Sequence, residues 1–159
     1  MLLAILAGTL VFSGCNQSQE SQTAIEGFFG IKLGEPLPAA CAIEYDLGMI
    51  DGQINYTVIP PQTNAAFNKY WVTINPTNRL VCEIRGDSSE ASFFDILGVL
   101  RQKYGNESSK GKGSGFQAYT WWHGDRSLRL DSMAGSFHLS CTDNTLNHPV
   151  KPSADTNGF

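Results

Sequence analysis

Charge is scarce in this chain. Only 16% of its 159 residues are charged, and the 11 Lys and Arg are outnumbered by 15 Asp and Glu, for a net charge of −4. An average soluble domain carries about 25% charge. Without a basic excess there is no field to neutralise phosphates, and no nucleic-acid motif is present, so nucleic-acid binding is excluded. Histidine is also sparse, at 3 residues. No Cys-x-x-Cys or His-Glu-x-x-His occurs, and the close pair His138 and Cys141, an odd number of positions apart on one strand, points to opposite faces. No metal site is expected. The stretch "KGSGF" around Ser114 lacks the first glycine of a nucleophile elbow. "GKGSGF" lacks the third glycine of a dinucleotide loop and follows a helical pattern where that loop needs a strand. No cofactor is expected.

No apolar run is long enough to span a bilayer, which takes about 20 residues. The longest, "MLLAILAGTLVF" at Met1 to Phe12, suits the core of a signal peptide. It ends in Phe12-Ser13-Gly14-Cys15, which resembles the bacterial lipobox, where small residues precede a cysteine that is lipidated and becomes the mature N-terminus. The resemblance implies a signal peptide over 1–14 and a lipid-bearing, palmitate-type anchor on Cys15. Each buried methylene contributes about 0.8 kcal/mol and one acyl chain holds only marginally, so the two or three chains of such lipoproteins make the attachment lasting. Asn16 stands where an Asp would mark retention at the inner membrane. The resemblance therefore implies the outer membrane, facing the periplasm. Residues 15–27, with "NQSQESQTAIEG" after the cysteine, read as a flexible tether. Its reach is about 20 Å.

With 42% apolar residues, the remainder suits a single domain over 28–144. "FFGIKL" reads as a first strand, "PAACAIEYDLGMID" as one or two helical turns, and "QINYTVIPP" as a strand. "NKYWVTINPTNRLVCEIRG" reads as two strands around Asn75 to Asn78, with Leu80, Cys82 and Ile84 sharing a face. "DSSEASFFDILGVLRQKY" is the main helix, about 88–104, with Asp87 as N-cap, Glu90 completing a capping box and Gly105 as stop. Phe93, Leu97, Leu100 and Tyr104 form its apolar stripe. Gly105 to Gly115 reads as a flexible loop, followed by three short strands with turns at His123 to Arg126 and Ala134 to Ser136, then a loose tail over 145–159. The expected fold is α+β: an antiparallel sheet with that one helix on its face.

Three cysteines remain for the fold. Strand parity puts Cys82 and Cys141 on apolar faces, which favours a disulfide between them, with Cys41 as the alternative partner and three buried thiols as the other outcome. Trp71, Tyr119, Trp121 and Trp122 outnumber what one helix can cover, and make a candidate binding patch. His123 and Asp125 in "WWHGDR" could act as base and orienter of a periplasmic hydrolase, although Gly124-Asp125 is also a turn dipeptide. The leading expectation is a non-catalytic, membrane-anchored envelope module that binds an unidentified envelope protein, in an accessory or an inhibitor or immunity-type role. The hydrolase is the alternative.

Overall fold

The structure is a computed structural model that describes residues 23–88, 93–113, 115–133 and 135–147. The expected signal segment, Cys15, most of the tether, Glu90 and the end of the tail lie outside those residues. In chain order the elements are β1 (Gly27–Phe28), β2 (Ile31–Lys32), β3 (Ala42–Ile50), β4 (Gln53–Ile59), β5 (Lys69–Ile74), β6 (Val81–Ser88), α1 (Phe93–Tyr104), β7 (Ser109–Gly113), β8 (Phe116–His123), β9 (Arg126–Met133) and β10 (Ser136–Asp143). β1 and β2 form a small hairpin, and the other strands form one antiparallel sheet in the order β3-β4-β5-β6-β10-β9-β8-β7.

This corrects the expected α+β fold with a main helix over about 88–104. Strands take 54% of the described residues and helix only 10%, which makes the fold β-rich. Two segments read as non-strand, 38–51 and 105–115, supply the edge strands β3 and β7. Asp87 is no helix cap. It lies in β6, paired with Lys69 and His138, where its carboxylate accepts hydrogen bonds across the sheet and pairing outcompetes capping.

One row of side chains explains why a single face is covered. Tyr56, Val72, Ile84, Cys141, Leu128 and Trp121 oppose one another across six consecutive strands, and all are buried. Alternation of period two puts them on one side. Onto them pack Leu97, Leu100 and Tyr104 of α1, Ile25, Ile31 and Leu33 from the N-terminal segment, and Phe67 from the β4–β5 connection. Gly105, at φ 77°, ends the helix as expected, and its carbonyl accepts from Trp121 Nε1 at 2.9 Å. Gly86 has a different reason to be glycine: an added Cβ would stand 2.8 Å from the Phe67 ring. Only hydrogen leaves room for the edge-to-face rings of Phe29, Phe67 and Phe137.

The folded domain extends past both expected limits. Ile25 is buried, and Arg126 straps its segment down by donating to the carbonyls of Ile25 at 3.2 Å and Leu33 at 3.1 Å while pairing with Asp143. At the other end, the Leu146 carbonyl accepts from Asn75 Nδ2 at 2.8 Å, so the start of the expected loose tail is docked. No helix among the described residues is long and apolar enough to cross a membrane.

Two substitutions, one on each face of the sheet, test this packing with opposite signs. Leu128→Ala, in the middle of the buried row, should lower unfolding stability by about 2–5 kcal/mol. The Thr57 hydroxyl is buried with no hydrogen-bond partner, so Thr57→Val should raise stability by about 1 kcal/mol. Urea denaturation reads both changes.

Candidate binding surface

The expected aromatic patch divides between the two faces of the sheet. Trp121, 2% exposed, belongs to the core row. Tyr119 packs on the same side against Phe93. Trp71 and Trp122 lie on the opposite, open face, and Trp122 is 49% exposed. Three strands separate β5 from β8, a lateral distance of about 19 Å at ordinary strand spacing. The four rings therefore form no single patch.

What the open face does bring together is a polar cluster around Asp87. Its carboxylate accepts from Trp71 Nε1 at 2.7 Å, from Arg85 Nε at 2.6 Å and Nη2 at 3.0 Å, and from His138 Nδ1 at 2.8 Å. A carboxylate can only accept, which assigns the proton to His138 Nδ1. Partial burial pushes the Asp87 pKa up, but the bonds from Arg85, His138 and Trp71 outweigh it and hold the carboxyl below its ordinary value. Lys69 stands 4.3 Å above the Trp71 ring. These bonds tie β5, β6 and β10 together, so the cluster stiffens the centre of the sheet. Among the described residues, no group of three or more His, Cys, Asp or Glu could hold a metal ion.

His123 and Asp125 flank the β8–β9 turn and are both exposed. The cleft that His123 borders, with Tyr104, Trp121 and Trp122, measures about 10 Å³. That is room for one water at most, and Asp125 is not among the residues that line it. A wider groove of about 500 Å³ runs beside the β1–β2 hairpin, lined by Phe28, Phe29, Lys32 and Lys103 among others. Its lining includes neither a histidine nor a thiol.

The cysteines follow the thiol outcome. Cys41, Cys82 and Cys141 are all free and buried, which corrects the expected Cys82–Cys141 bond. The cause is a β-bulge. Ile74 pairs with Val81 while Thr73 pairs with Glu83, leaving Cys82 as the extra residue. Val81 takes the core position, and Cys82 lies instead near the Thr73 carbonyl and the side chains of Gln53 and Asn147. Cys141 stays in the core row, so the sheet separates the two. Burial pushes the Cys82 thiol up to about 11 and raises Cys141 too, which leaves both unreactive.

Among the described residues, a further uncovered apolar feature lies where the sequence suggests helical turns. β3 is a sheet edge, and all nine of its residues are exposed. Ile43, Tyr45, Leu47, Met49 and Ile50 stand open along it, Tyr45 at 63% and Met49 at 67%, with Ile59 beside them on β4. Two register shifts, at Glu44 and Leu47, bend the strand, and Asp46 Oδ1 braces the second by accepting from the Gly48 amide at 2.8 Å. Asp51-Gly52 turns the chain into β4, with φ 51° and 77°, the I′ geometry that this dipeptide favours. The alternation of Ile43, Tyr45, Leu47 and Met49 with Glu44, Asp46 and Gly48, followed by Asp-Gly, is the sequence signal that marks it.

The opposite edge is built differently. β7 reads "SKGKG", short and lysine-bearing, in the manner of edges that resist pairing. Lys110 and Arg101 both clasp Glu107, at 2.7 and 2.8 Å, over a side chain only 1% exposed. No protein family matches the chain, and neither does any curated protein or solved structure.

Two measurements check the Glu107 clasp and the buried thiols. The bonds from Arg101, aided by Lys110, overcome burial and hold Glu107 at about 2 against an ordinary 4.5. Its folded pKa is depressed, so its stabilisation is complete above pH 4.5 and fades toward pH 2. Glu107→Gln should therefore be less stable than wild type at pH 7, and the gap should close between pH 4.5 and 2 in thermal melts. With a thiol reagent and no reductant, Cys82 and Cys141 should react only after denaturant is added.

Proposed function

We propose that the chain is a lipid-anchored lipoprotein of the bacterial envelope whose folded domain is a non-catalytic protein-binding module, in an accessory or an inhibitor or immunity-type role. The anchor half of the reading is supported by the lipobox-like Phe12-Ser13-Gly14-Cys15 and the apolar segment before it. By the same resemblance the site of action is the outer membrane, facing the periplasm.

The binding half is carried by the exposed, apolar β3 edge. Soluble domains keep uncovered apolar patches small, and larger ones mark contact surfaces. A nine-residue apolar edge is also an aggregation hazard unless something protects or uses it. The rest of the sheet is better defended: its core face is covered, its open face centres on the bonded Asp87 cluster with Trp122 as a single exposed ring, and its other edge carries lysines.

Mass spectrometry of the chain purified from bacterial membranes should show a diacyl- or triacyl-modified Cys15 at the N-terminus, lost in Cys15→Ser; an unmodified chain beginning at Met1 overturns the anchor. Crosslinking in intact membranes should capture an envelope protein with wild type and lose it with Tyr45→Ser/Met49→Ser. Both positions are exposed, so the fold should survive. Capture indifferent to these changes overturns the binding reading.

A further inference from the structure

We infer that β3 receives, as a ninth strand of the sheet, an extended segment of a different protein that carries both basic and apolar residues. The inference rests on the binding reading above and names the chemistry of the partner.

The backbone comes first. β4 occupies one side of β3, and no described strand occupies the other. Strand addition supplies main-chain hydrogen bonds along such an edge, while alternate side chains select the partner. Charge decides the second property. None of the chain's Lys or Arg lies between Lys32 and Lys69, whereas Glu44, Asp46 and Asp51 all sit on the β3 hairpin. A partner strand that brings cations meets no like charge here. Because each bulge skips a residue, Ile43, Asp46 and Met49 share one face and Tyr45, Gly48 and Ile50 the other, so the partner meets apolar side chains on both faces with a carboxylate among them.

A second copy of this chain fits less well at either of its edges. β3 against β3 in a two-fold pair would double the carboxylates along one seam and bring no cation to it, and like charges across a strand pair are destabilising. β7 offers Lys110 and Lys112, but it spans only Ser109–Gly113, brings no apolar side chain, and already spends Lys110 on Glu107. It could neutralise the edge without covering it. A bilayer fits least, because three carboxylates would be driven against its anionic headgroups. The two bulges point the same way: a preformed rigid edge cannot follow such a bent strand, whereas a segment that orders on binding can.

The test uses the full chain in mild detergent and three fluorescent ten-residue peptides. One alternates lysine with valine, one replaces lysine by glutamate, and one repeats the lysine sequence with alternate amides N-methylated so that one edge cannot donate. Anisotropy should show the lysine peptide binding at least tenfold tighter than the other two. Glu44→Gln/Asp46→Asn/Asp51→Asn keeps side chains that can still brace Gly48 and the turn, and should weaken lysine-peptide binding at least tenfold. Equal binding of the methylated or the glutamate peptide overturns the inference on wild type alone, however the variant folds. No binding overturns it too, as does sedimentation showing that the chain self-associates through β3. If the peptides fail while membrane crosslinking still depends on Tyr45 and Met49, the binding reading stands and only strand addition falls.

Discussion

Every strand carries backbone donors and acceptors on two sides, and an open sheet leaves one unpaired row at each end. How this chain treats those two rows governs the rest of the molecule. At β7 the row is short and flanked by lysines, with Glu107 clamped beneath Arg101 and Lys110. At β3 the row is nine residues long, apolar and acidic, and protected only by its bulges. Burial elsewhere is thorough enough that this difference stands out. The row from Tyr56 to Trp121 is sealed by α1, the Ile25–Leu33 segment and Phe67, and the Asp87 cluster locks the far face.

Much of the sheet was legible because its signals are local. The three C-terminal strands alternate cleanly and their turns fall where glycine permits, and the stripe Leu97, Leu100, Tyr104 fixed the buried side of α1. What failed depended on partners distant in sequence. Asp87 followed by a serine pair looks like a helix cap, but Trp71, Arg85 and His138 hold it in a strand, and nothing within a few residues announces Trp71 or His138. Parity misplaced Cys82 because a bulge inserts one residue and reverses the alternation beyond it. β7 was hidden by composition, since "SKGKG" has no apolar residue to betray a strand whose pairing rests on backbone alone.

The candidate site illustrates the reverse case. Tryptophans drew the sequence reading because large rings commonly anchor interfaces, yet Trp121 is core and Trp71 is bonded into the Asp87 cluster. β3 was misread as helical turns although its alternation and the Asp51-Gly52 turn signal a strand, and an edge can be recognised only once the strand order is known. Its exposure is a property of topology. The same holds for His123 and Asp125, which are close in sequence, one ending β8 and the other in the exposed turn that follows it.

Anchor and edge together make one mechanical picture: a lipid at Cys15 and a short tether would hold the sheet near the membrane with β3 free to recruit a strand from a neighbouring envelope protein. Amide hydrogen exchange at Ala42–Ile50, compared between the purified chain and the chain in its native membranes, tests this most directly. Slower exchange along β3 in the membranes, with β7 unchanged, is the predicted result. Equal exchange of β3 in both settings would contradict it.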